Sequence, residues 1–446
     1  MQRDLTQGSI LKNLFIFAVP YLISSFLQTF YGLADLFITG QFNGAATISA
    51  VSIGSQIMHM LTVVIVGLAM GTTVRISHAV GAKNNKAIRE NVGNTISIFI
   101  IFAIVLVAIL LLSVDGIIHL ISTPTEAVLE TRQYLIICFI GIPFITAYNV
   151  ISSIFRGLGD TKSPMYFVAV AGVINIILDY ILIGPCQMGA KGAAIATVIA
   201  QALSVLFALC YMRLTKSGVS IGRKDLAFQK ETAGKILNVG IPIAFQEGII
   251  QISFLVITAI ANSRGVDVAA AVGIVEKIIS FLFLVPSSML STVSATAAQN
   301  AGAGKHERGR VALRYGILVC MTFGLVVFIA CQFVSEPIVG LFVKNDAKVI
   351  LLGGQYLRSY SIDCMIAGIH FCFSGFFSAY GKSFYSFFHN IVSVIAVRVP
   401  GAYLASVYFP KTLYPMGLAA PMGSLLSVII CIILFRIGKK AWSVNS

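Results

Sequence analysis

Apolar residues fill this chain in long blocks separated by short polar connections. A helix that crosses a bilayer needs roughly 20 predominantly apolar residues. On that measure the pattern predicts about twelve spans. They start near Leu14, Ile48, Val92, Leu135, Pro164, Ala190, Ile236, Val268, Tyr315, Tyr356, Phe384 and Met416. The connections leave no room for an additional soluble domain. The first block is too long for a cleaved signal peptide, and no small-residue cleavage site follows it. The chain reads as an all-α polytopic membrane protein.

Composition sharpens this picture. Of 446 residues, 57% are hydrophobic and 11% charged, and the mean hydropathy is +0.92. A net charge of +14 would suit a nucleic-acid partner if it were spread over one surface. Instead Lys and Arg gather in alternate connections: Arg75 to Arg89, Arg156 to Lys162, Arg213 to Lys235, Lys305 to Arg314 and Arg436 to Lys440. The intervening loops carry few, such as Lys191, Arg264 and Lys411. That is the positive-inside pattern, and it places both termini in the cytoplasm of a cell inner membrane or plasma membrane. No nucleic-acid partner is expected. The eight Cys form no CxxC pair, and those within spans, such as Cys138, Cys210 and Cys431, read as small hydrophobes.

The pattern also repeats at an offset of roughly 222 residues. Ala18-Val19-Pro20 recurs as Gly240-Ile241-Pro242, Val80-Gly81-Ala82 as Ala301-Gly302-Ala303, Tyr134-Leu135 as Tyr356-Leu357, and Gly159 as Gly381. An even number of spans per half makes the repeat parallel, an arrangement of secondary transporters that rock one half against the other. The expected division is a first lobe over 1–212, a cytoplasmic linker over 213–235 and a second lobe over 236–446.

Against this apolar background, intramembrane acids stand out, because a charge at the bilayer centre costs about 2.5–3.5 kcal/mol on insertion scales. Counting about 1.5 Å per residue puts Asp35 roughly 7 Å, Asp179 roughly 9 Å and Thr197 roughly 12 Å inside the outer face. Asn175 precedes Asp179 by one helical turn and shares its face. Carboxylates, a carboxamide and a hydroxyl at one depth suit a proton or a small hard cation. Two neighbouring carboxylates in a low-dielectric lobe repel, so a cation between them is expected. The equivalent positions of the second half, Ile257, Val397 and Gly401, are not acidic, so ion chemistry is expected in the first lobe. For Glu247, Glu276, Lys277, Asp363 and Arg398, pairing within the second half is the plainer reading, and a second coupling or substrate site the sharper one. Pro20, Pro143, Pro242, Pro286 and Pro400 lie inside spans and permit kinks. A cleft between the lobes is expected along the first, second, seventh and eighth spans. There Gln28, Gln56, His59, Gln246, Glu247 and Gln251 supply polar groups for a substrate. The sequence has no HExxH, Walker loop or GxSxG, and its six His are scattered, so no enzyme and no cofactor are expected.

Five segments together resemble the multidrug and toxic compound extrusion (MATE) family over essentially the whole chain. They are Tyr31-Gly32-Leu33-Ala34-Asp35 with Gly40, Phe155-Arg156-Gly157-Leu158-Gly159-Asp160-Thr161, Asn175 to Ile183, Gly189 with Gly192 to Thr197, and Gln299-Asn300-Ala301-Gly302-Ala303-Gly304. The resemblance implies two six-helix lobes forming a V-shaped cleft, and antiport of small amphiphilic, often cationic compounds against H⁺ or Na⁺. It is closer to the DinF-like branch than to the NorM-like one. It implies a cation site at Asp35, Asn175, Asp179 and Thr197, with the Ala193 backbone, and a helix bend at Pro20. The NorM-like branch uses second-lobe acids, and the spacing of Glu247 from Pro242 is short for its seventh-helix glutamate. Arg398 departs from a simple drug-pump pattern. The alternative is a lipid-linked oligosaccharide flippase of the same superfamily, which would carry cations in the first lobe; no buried Lys or Arg is expected there. The implied partners are a small-molecule substrate and the lipid bilayer, with the chain itself a monomer.

Overall fold

In a computed structural model of the protein, residues 3–121, 123–214, 225, 227–343 and 346–438 are described, and no strand occurs among them. Among the described residues, twelve helices are long and apolar enough to cross a membrane. The first six are α1 (Ile10–Phe42), α2 (Ala45–Gly81), α3 (Asn85–Leu120), α4 (Thr125–Gly157), α5 (Lys162–Ile183) and α6 (Gly189–Leu214). The others are α7 (Lys230–Asn262), α8 (Val266–Gly302), α9 (His306–Gly340), α10 (Ala347–Ala379), α11 (Ser383–Tyr408) and α12 (Tyr414–Ile437). Every predicted span start falls inside one of them. Most helices begin before the apolar block does, because polar residues such as Lys230 and Glu231 continue the helix beyond it. Most of the expected linker lies outside the described residues, and its last part, from Lys230, is already α7.

The chain forms two compact units. Unit 1 holds Met1–Asp4 and Val19–Gly240, and unit 2 holds Leu5–Ala18 and Ile241–Ser446. The first turns of α1 therefore pack with unit 2 and those of α7 with unit 1, where the sequence division cut between whole helices. Leu5 shows how this is held: its backbone N–H donates to Gln299 Oε1 at 2.9 Å, and its side chain is buried with Phe17 and Ala295.

Within unit 1, α2, α3 and α6 pack on α4, and α5 packs on α6. Unit 2 repeats the scheme, with α8, α9 and α12 on α10 and α11 on α12. Lipid tails are as apolar as leucine, so such helices associate through close packing and interhelical hydrogen bonds. Thr73 Oγ1 donates to the Ser153 carbonyl and Ser77 Oγ to the Gly157 carbonyl, each at 3.1 Å, tying α2 to α4. Gly141 lets α4 approach α6, for a Cβ there would run into the Val198 methyls beside Thr197.

The duplicated turns have a local cause. Gly159 and Gly381 both adopt positive φ, 86° and 70°, which glycine tolerates without steric cost. After Gly159, Asp160 Oδ1 accepts from the backbone N–H groups of Lys162 and Ser163 at 3.0 and 3.1 Å, capping the start of α5. Prolines explain two irregularities. Pro286 cannot bond back to residue 282, and α8 breaks between Leu282 and Leu284. Just before Pro400, α11 loosens into a π-helical turn over Val394–Arg398.

Candidate cation site in unit 1

Three helices of unit 1 bring the predicted polar residues together. Asp35 on α1 is 4% exposed and Asp179 on α5 is fully buried. Their carboxyl groups lie close enough to act on each other electrostatically. Thr197 on α6 donates its hydroxyl to the Ala193 carbonyl at 3.0 Å, with Asp35 Oδ2 3.5 Å away. Ala193 is itself fully buried. Thr39 Oγ1 donates to the Asp35 carbonyl at 2.7 Å and fixes the helix turn that carries the acid. Asn175 is buried one turn before Asp179.

The cluster is left short of partners. Asp35 Oδ1, both Asp179 oxygens and both amide atoms of Asn175 are buried without a hydrogen bond. Orphaned acceptors beside two facing carboxylates make a site of excess negative charge, costly unless a cation or proton enters. The donor set is oxygen from carboxylates, an amide, a hydroxyl and a carbonyl, which suits a hard ion and not a soft transition metal. Among the described residues there is no group of three or more His, Cys, Asp or Glu arranged to hold a metal.

The MatE family model matches the chain twice, over residues 20–181 and 242–404. The chain belongs to the MatE family. The two matches coincide with the two repeats read from the sequence. Among relatives, the probable multidrug resistance protein YoeA of Bacillus subtilis is 27% identical over 95% of this chain and 93% of its own length. YpnP of the same organism is 28% identical over 98% and 97%. The FAD transporter of Shewanella oneidensis is 24% identical over 95% and 93%. Among solved structures, a MOP superfamily transporter from Pyrococcus furiosus superposes with a TM-score of 0.91 at 22% identity, covering 99% of this chain and 98% of its own. That structure was described as having a binding pocket of reverse polarity. The outward-facing form of a multidrug resistance MATE transporter gives the same TM-score. The protein is thus a multi-pass membrane transporter with the two-repeat MatE fold.

Several residues of this MatE transporter were not assigned to the site by the sequence reading. Gln201, one turn after Thr197, donates to the Tyr31 hydroxyl at 3.3 Å, and Tyr31 lies one turn before Asp35. Tyr134 shares a hydrogen bond with Ser55 at 3.1 Å and lies in electrostatic range of Asp35. The one-turn spacings were visible, but Tyr and Gln are ordinary packing residues between helices. One expectation is overturned: unit 1 does bury a cation. Arg156 is 7% exposed, because α4 continues through it. Its guanidinium lies 5.2 Å from the Tyr21 ring centroid and donates to Ser153 Oγ at 2.7 Å. The negative end of the α4 dipole favours it there.

The residues expected to face a substrate are less alike than their polarity suggested. Gln56 and His59 are exposed on α2, and Gln28 lies within hydrogen-bonding reach of Tyr148. In unit 2, Gln246 is buried and donates to Glu247 Oε1 at 3.5 Å, while Gln251 is partly exposed. Pro20 sits within a continuous α1, and its carbonyl accepts from Ser24 Oγ at 2.9 Å.

Proposed function

We propose that this MatE transporter is a cation-driven antiporter that exports small amphiphilic, often cationic compounds by alternating access. The observation that carries the reading is the facing pair Asp35 and Asp179, buried with orphaned oxygens beside the Thr197 hydroxyl. Two carboxylates in a low-dielectric lobe bind H⁺ or Na⁺ more tightly than either does alone. Export then needs the two conformations to differ in affinity for that cation. Asp35 and Pro20 lie on the same helix, about 22 Å apart. A bend at Pro20 therefore links cation occupancy to the conformation of α1. The basic connections support a reading in which both termini are cytoplasmic and the chain works in a cell membrane as a monomer. The first-half placement of the acids favours a DinF-like site.

A second reading keeps one supporting observation. A lipid-linked oligosaccharide flippase would carry buried cations in the first lobe, and Arg156 is one. Its place at the last turn of α4, against Tyr21, gives it a structural reason to be buried. Two acids in the same unit, and relatives named for multidrug resistance, favour export. Efflux of a labelled cationic dye from proteoliposomes under separately imposed Na⁺ and pH gradients tests this. Efflux driven by at least one gradient is expected; efflux indifferent to both, with lipid-linked sugar translocated instead, would sink it.

A further inference from the structure

The residues ahead of α1 are held more firmly than a segment outside the spans requires, since such segments stay loose unless something ties them down. Leu5–Ala18 belong to unit 2, whereas the chain from Val19, with Pro20 and Asp35, belongs to unit 1. One continuous helix, α1, therefore starts in one unit and carries its acid in the other.

Four side chains at the α8–α9 turn of unit 2 grip the segment. Leu5 N–H donates to Gln299 Oε1 at 2.9 Å, and Asn300 Nδ2 donates to the Leu5 carbonyl at 3.3 Å. Lys305 Nζ donates to the Thr6 carbonyl and Arg308 Nη2 to the Gly8 carbonyl, each at 3.0 Å. Arg308 Nε also donates to Asn300 Oδ1 at 3.2 Å and braces the clamp. Gln299, Asn300 and Leu5 are fully buried, and Leu5 is buried with Phe17, one turn before Pro20. From the side of α1, Asn13 Nδ2 donates to the Gln7 carbonyl at 2.8 Å.

Two features exceed what membrane insertion needs. Lys305 and Arg308 count toward the basic connections, but an orientation signal works solvated and needs no carbonyl partners. Arg308 also stands in the first turn of α9, where a cation opposes the helix dipole. The Gly8 carbonyl and the Asn300 amide oxygen offset that. A helix transmits a bend only where both ends are held, because a loose end swings and moves nothing else. We propose that Leu5, Gln299, Asn300, Lys305 and Arg308 are positioning residues that anchor α1 to unit 2, so that a bend at Pro20 set by the cation at Asp35 moves unit 2. The anchor touches neither cation nor cargo. It rests on the cation-driven export reading above.

The test uses the full-length chain in proteoliposomes with a labelled cationic dye. Uphill efflux is measured under a cation gradient, and exchange of labelled for unlabelled dye without one. A residue that only stabilises the fold moves both rates and the thermal midpoint together, whereas an anchor moves uphill efflux alone. Arg308→Lys keeps the positive charge that orients the chain but loses the fork that reaches Gly8 and Asn300 at once. Leu5→Ala removes most of a buried side chain, and Leu5→Met keeps its volume. The double variant carrying Leu5→Ala and Arg308→Lys is expected to lose at least about tenfold of uphill efflux, with exchange and the half-saturating cation concentration unchanged. Leu5→Met is expected to behave as wild type. Where the double variant does not fold, Arg308→Lys alone carries the test, with an expected loss of about threefold. Uphill efflux retained in the anchor variants, or lost in step with exchange, overturns the anchor alone. Wild type without cation-driven efflux overturns the export reading and the anchor with it.

Discussion

Replacing Asp179 with Asn removes one of two facing carboxylates while keeping the size of the side chain. A cation bound between them is attracted by both. At 4 Å and an effective dielectric of about 20, each unit charge contributes about 4 kcal/mol. The Asn carbonyl oxygen recovers part of this, so cation affinity is expected to fall by roughly two to three orders of magnitude. The same substitution relieves repulsion between buried like charges, so the thermal midpoint is expected to stay level or rise. Asp35→Asn should behave alike, since the two groups act as one unit. The assay compares ion-driven dye efflux in proteoliposomes with the thermal midpoint and dye binding of each variant. Loss of efflux with dye binding and stability retained is the expected outcome. Efflux near the wild-type rate in both variants would refute the site. So would a lowered midpoint that accounts for the lost activity.

Thr197→Val is expected to weaken the driving cation by about tenfold, the low end for a hydrogen bond to a charged group, because its contact with Asp35 is long. Thr197→Ser should restore it, as read by the cation dependence of efflux. Gly141→Val should drive a side chain into Val198 and cost about 1–3 kcal/mol of overpacking, visible as a lower thermal midpoint. Pro20→Ala restores a backbone hydrogen bond in α1 and is expected to slow efflux while dye binding stays unchanged; equal efflux would remove Pro20 from the coupling path. Single cysteines at Gln28, Gln56, His59 and Gln251 should react with a membrane-impermeant thiol reagent and be protected by dye. Reaction only with lipid-soluble reagents would end the substrate-face assignment.

The spans were legible because block length is set by bilayer thickness, a constraint that acts on sequence directly. The polar cluster of unit 1 was legible in depth but not in azimuth. Counting residues placed Asp35, Asp179 and Thr197 at one level, whereas only packing reveals that α1, α5 and α6 turn them toward one another. Gln201 carried no signal beyond its spacing from Thr197, and the Tyr31 hydroxyl's partner lies on another helix. Arg156 was misplaced because its neighbours, Gly157 to Asp160, are turn residues, and helices often run to the last residue before such a turn. The openness of the second-half charges, where among the described residues no ion pair within 4.0 Å joins Arg398 to Glu276 or Asp363, was not legible at all. Glu276, Asp363 and Arg398 are far apart in sequence, and whether they pair depends on how their helices pack.

The π-helical turn sets the phase of α11. A π turn holds one residue more than an α turn, so residues on either side of Val394–Arg398 are rotated by about 100° relative to an unbroken helix. Deleting a single residue there would leave the span long enough to cross a bilayer while swinging Arg398 off the Phe254 ring, whose centroid lies 4.6 Å from its guanidinium. In this part of the chain a one-residue gap would leave hydropathy unchanged while turning one half of the helix to a different face.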